Sequence, residues 1–84
     1  MADERRAFQG VTRLRCYPQG PRKVCELEMD GSTLRKDVGY VSIDSGETDR
    51  VGLSGGELEV DFSSPQTLIY DEAVDVLMTQ KVKT

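Results

Sequence analysis

The chain has 84 residues, a net charge of −4, no histidine and two cysteines. That length makes one domain with a small core, which buries roughly 60–65% of the surface its unfolded form exposes. The missing histidines exclude a conventional catalytic triad and the commonest general base and metal ligand, the absence of a run of about 18 apolar residues excludes a transmembrane helix, and the acidic balance disfavours nucleic acid and anionic membranes as partners.

The charge is unevenly spread. Arg5, Arg6, Arg13, Arg15, Arg22 and Lys23 crowd the first quarter, and Glu57, Glu59, Asp61, Asp71, Glu72 and Asp75 crowd the last third. Folding is expected to bring the two sets together so that they neutralise each other. The opening Met-Ala-Asp-Glu-Arg-Arg carries no apolar segment behind its charges, unlike a signal peptide, and the chain is expected in the cytoplasm with its thiols reduced. Residues 1–7 are expected to be a mobile arm and residues 8–84 a single small β-rich domain.

The first element is a hairpin centred on Gln19-Gly-Pro-Arg22. Counting outward from that centre sets Leu14 opposite Leu27 and Cys16 opposite Cys25 on the inner face. On the outer face it sets Arg15 opposite Glu26 and Arg13 opposite Glu28. Apolar meets apolar and cation meets anion in one register, and a slip of one residue would turn every side chain to the wrong face. Asp30-Gly31 then signals a type I′ turn. It sets Leu27 opposite Leu34 and Glu26 opposite Arg35. Lys36 opposite Cys25 breaks the pattern, so the third strand is expected to bend or end there.

Val38-Gly-Tyr-Val-Ser-Ile43 reads as a strand with a bulge at Gly39, where its phase slips. Asp44, Glu47 and Asp49 lie in an acidic loop that lacks the ligand spacing of a calcium-binding EF-hand and is expected to be solvated. Ser54-Gly-Gly-Glu57 reads as a third hairpin turn pairing Leu53 with Leu58, Val51 with Val60 and Arg50 with Asp61. It has no P-loop lysine to make it a phosphate cradle.

The last third supports two patterns. Ser64-Pro65 makes a good helix start, and Ile69, Ala73, Val76, Leu77 and Gln80 recur at helical spacing. Val74, Val76 and Met78 alternate as a strand would, with Asp71-Glu72 as a turn. The expected fold is mainly β: an antiparallel meander of about five strands forming a small barrel or curled sheet, closed off by a C-terminal helix.

Cys16 and Cys25 sit close enough in this register for a disulfide. Two thiols without histidine are too few for a metal site, and no neighbouring base marks either as a nucleophile. They are expected to be reduced, small apolar residues of the core.

Arg5-Arg6 followed much later by Leu53-Ser-Gly-Gly56 resembles the PilZ family of cyclic-di-GMP receptors, whose pattern is Arg-Arg-x-x-x-Arg and then Asp-x-Ser-x-x-Gly. Here the third arginine position is Gly10, the aspartate position is Gly52 and the final glycine position is Glu57. The resemblance implies a divergent β-barrel relative, and with it an anion or cyclic-dinucleotide site served by an N-terminal arginine arm, drawing on Arg5, Arg6 and Arg13.

The leading expectation is a non-enzymatic protein-interaction or regulatory module, such as a bacterial accessory or phage-associated protein, with no cofactor and no metal. Its contact surface is expected on the outer face of the first hairpin, at Arg13, Arg15, Tyr17 and Arg22, or along an open strand edge.

Overall fold

The computed structural model describes residues 5–44, 49–51 and 56–80, with backbone alone for 44 and 49–51. The elements are β1 (Arg5–Gln19), β2 (Arg22–Met29), β3 (Ser32–Val38), β4 (Tyr40–Asp44), β5 (Asp49–Val51), β6 (Leu58–Asp71) and β7 (Val76–Thr79). They form one mixed sheet in the order β3-β2-β1-β6-β7-β4-β5. The order has two ends, so the sheet curls without closing into the barrel that was one of the expected forms.

The first two hairpins form as the alternation of side chains demands. Leu14 opposes Leu27, Cys16 opposes Cys25, Arg15 opposes Glu26 and Arg13 opposes Glu28. Leu27 opposes Leu34 and Glu26 opposes Arg35. Asp30 and Gly31 both take positive φ, 45° and 82°, as a type I′ turn requires. The third strand does not end at Lys36. Pairing continues to Lys23 opposite Val38, because the Lys36 ammonium swings over the ring of Tyr70, 4.3 Å from its centroid. The long aliphatic stem can then lie inward while the charge meets an aromatic face.

Gly39 is a kink between β3 and β4 rather than a bulge within one strand. It hands the chain from the side of β2 to the side of β7. A Cβ at this position would lie 2.6 Å from Asp75 Oδ2 and 3.3 Å from Asp75 O, so only glycine lets the two segments approach.

The C-terminal helix does not form, and no helix occurs among the described residues. Residues 58–71 and 76–79 are strands joined by a turn in which Asp75 has φ of 59°. The helical face fails because Ala73 is exposed, whereas Leu68, Tyr70 and Leu77 are buried. Those three follow the two-residue period of strands that pair on one face. Ser64-Pro65, read as a helix start, lies where β6 leaves its ladder with β1: Val11 pairs with Gln66 but Arg13 already pairs with Asp61. Proline, which has no N–H to contribute to a ladder, fits such a break.

Two further expectations are corrected. The meander is not wholly antiparallel, since β4 runs parallel to β7, with Val41 opposite Leu77. The third hairpin register is replaced by two separate pairings. β5 pairs with β4, Ser42 opposite Val51, while Val60 and Asp61 pair with Leu14 and Arg13 of β1. Within the stretch 1–7, Arg5, Arg6 and Ala7 pair with Asp71, Tyr70 and Ile69.

The inner face gathers Val11, Leu14, Leu27, Val41, Leu68 and Leu77, each with no solvent exposure, into one core with both cysteines. At about 25 cal/mol per Å² of apolar surface, burial of this kind is the main stabilising term. Among the described residues no helix is long and apolar enough to cross a membrane.

Candidate functional site

The opposite face of β1, β2 and β6 is charged because two periodicities coincide. Arg13 and Arg15 alternate on β1, Glu26 and Glu28 on β2, and Glu57, Glu59 and Asp61 on and just before β6. The register sets Arg13 between Glu28 and Asp61, and Arg15 between Glu26 and Glu59. A cationic column therefore runs between two anionic ones.

Arg13 binds three carboxylates. Its Nη2 donates to Glu59 Oε2, its Nε lies 3.3 Å from Asp61 Oδ1 and its Nη1 lies 3.9 Å from Glu28 Oε2. The bond to Glu59 is the main reason its acidity is lowered further. Arg15 spans Glu26 at 3.9 Å and Glu57 at 3.7 Å. Its guanidinium carbon stands 5.5 Å from the centroid of the Tyr17 ring, within cation–π range. Tyr17 is half-buried and its hydroxyl donates to Glu26 Oε2 at 3.2 Å. Arg15, Tyr17, Pro18, Gly56 and Glu57 line an open depression of about 430 Å³. Val24, opposite Tyr17, is 4% exposed yet lies outside the main core cluster.

Arg22 parts from the other three expected contact residues. Its Nε donates to Asp37 Oδ1 at 2.6 Å, and its two terminal nitrogens donate to both oxygens of Asp75 at 2.8 and 3.2 Å. Asp75 Oδ1 also accepts from the Tyr70 hydroxyl at 2.5 Å, and its backbone oxygen accepts from the N–H groups of Gly39 and Tyr40. The Arg22 fork, and after it the Tyr70 hydroxyl, pull the Asp75 carboxyl down to about 2. The same bond raises Tyr70. This cluster stitches the gap between the β3 end of the sheet and the β6–β7 turn.

The three arginines of the anion reading do not converge. Arg5 Nε lies 3.4 Å from Asp71 Oδ2, and Arg6, its neighbour on β1, is exposed. Arg13 is seven residues further along the same strand, about 20 Å away at strand rise, and is already held by carboxylates. The acidic loop of Asp44, Glu47 and Asp49 and the Leu53-Ser-Gly stretch of the PilZ-like pattern lie outside the residues described in full.

Sequence reasoning set Glu28 and Glu26 opposite Arg13 and Arg15, but missed the partners on the β6 side. Glu57, Glu59 and Asp61 alternate like Arg13 and Arg15, and that matching was the available signal. Asp75 carried none, since its role depends on a kink 36 residues earlier. The fold and this face define a small single-sheet β domain with a self-paired charged surface. No family model, no curated protein and no solved structure matches the chain.

Proposed function

We propose that the chain is a non-enzymatic protein-interaction module, a small regulatory or accessory domain of the cytoplasm, that binds its partner protein through the outer face of β1. Arg13, Arg15 and Tyr17 are the contact residues, and Arg22 at the sheet end holds their hairpin in place. The observation that carries this reading is the Arg15–Tyr17 pair beside the open depression. Tyrosine and arginine dominate binding hot spots. Here both are fixed in advance by Glu26 and Glu57, so little side-chain freedom is left to lose on association.

The test compares the full chain with Arg15→Ala/Tyr17→Ala. Tagged protein is cross-linked in its source cells, and partner recovery is quantified by mass spectrometry. The double variant should keep its circular dichroism spectrum and bind the recovered partner about tenfold more weakly or worse. Equal affinity rejects this face. Amide shifts confined to residues 5–13 on titration with cyclic dinucleotides would replace it with the anion reading.

A further inference from the structure

We propose that Cys16 and Cys25 are an oxidative modification site, a dithiol that a peroxide converts into a cross-strand disulfide inside the folded domain. The two residues are direct partners across β1 and β2, and their sulfurs lie 2.7 Å apart. Antiparallel partners hold their Cα atoms about 4.5–5.5 Å apart, inside the roughly 4.4–6.8 Å a disulfide spans. From 2.7 Å, a bond of about 2.05 Å needs the sulfurs to close by only about 0.7 Å.

The surroundings set the rate rather than the outcome. Both side chains have no solvent exposure, and no buried polar or charged side chain occurs among the described residues. The hydrogen bond shared with Cys25, and then burial, push the Cys16 thiol up. The Cys16 thiol is thus not an activated nucleophile in the closed state, and Cys25 is buried beside it, away from solvent. Access comes when the end of the β1–β2 hairpin frays, three residues from the pair. One thiolate then attacks a peroxide oxygen, the O–O bond breaks, and a sulfenic acid and one water form. The second sulfur attacks the first and expels hydroxide, which takes the remaining thiol proton as a second water. Two thiols and one hydrogen peroxide become one disulfide and two waters. Arg15, Tyr17 and Glu26 point to the other face, so the bond stiffens the hairpin without displacing them.

The test incubates the reduced full chain with hydrogen peroxide under native conditions and follows free thiols, intact mass and Tm. Both thiols should vanish together, the monomer should lose the mass of two hydrogens, and Tm should rise by about 5–10 °C. Dithiothreitol should reverse all three, and Cys16→Ser should gain oxygen at Cys25 instead of losing hydrogen. The proposal fails if the folded chain keeps both thiols at a peroxide dose that oxidises the urea-unfolded chain. It fails equally if the product is a disulfide-linked dimer, or if the intramolecular bond lowers Tm.

Discussion

The outer face of β1 and the seam at Asp75 are both built from arginines and carboxylates, yet they are organised oppositely. On the outer face Arg13 has three carboxylate partners and Arg15 has two. Both arginines are exposed and only Glu26 among their partners is half-buried, and exposed pairs contribute little singly. At the seam, one side chain serves Arg22 and Tyr70 at once while its backbone oxygen holds Gly39 and Tyr40. Redundancy spreads the first region's pairing over several carboxylates, so that no one of them is essential. Convergence makes the second a single point on which the curl of the sheet depends.

The largest effect should follow from Asp75→Ala. It removes the acceptor of the Tyr70 hydroxyl and of the Arg22 fork, and places a Cβ-bearing residue without a polar side chain at positive φ. The expected loss is about 2 kcal/mol in denaturant unfolding, against about 1 kcal/mol for Asp75→Asn, which tolerates the backbone and keeps one acceptor. The pH dependence separates charge from shape. The Asp75 carboxyl lies below its ordinary 3.8, at about 2, so its contribution is complete above pH 3.8 and is lost as pH falls through about 2. Acid unfolding curves of the native chain and Asp75→Asn should differ near neutral pH and converge at the acid end. Parallel curves throughout would remove Asp75 charge from the seam.

Gly39→Ala comes next, at about 1–2 kcal/mol, because its Cβ collides with the Asp75 carboxylate. The substitution should cost less in an Asp75→Gly background, where the nearest colliding atoms are gone. Additive costs in that cycle would mean that the two residues are not coupled.

The smallest effect should be Glu59→Gln. Arg13 keeps Asp61 and Glu28, so Tm should not move measurably and added salt should not unmask a difference. A clear drop in Tm would mean that the outer face is not redundant and would bring it closer to the seam.

The expectation that basic and acidic thirds neutralise each other is met by Arg13 with Glu59 and Asp61, Arg15 with Glu57, Arg22 with Asp75 and Arg5 with Asp71. That outcome changes the candidate site: the arginines singled out as contact residues are already engaged, and Arg22 belongs to the seam. Tyr17 beside Val24 was legible from the hairpin register alone. The depression next to it was not, because Gly56 and Glu57 arrive there from a distant part of the chain.

By itself the sequence determined the two N-terminal hairpins and their register. There the partners are neighbours in the chain, the turn residues demand particular torsions, and both faces agree on one alignment. Tertiary structure alone decided that β6 pairs with β1, that β4 runs parallel to β7, and that the last third is strand rather than helix. Alternation states which side of a strand faces inward but not which strand lies beside it. The free edge of β1 has backbone groups to satisfy, and a pattern that suited helix and strand almost equally was settled by that non-local demand.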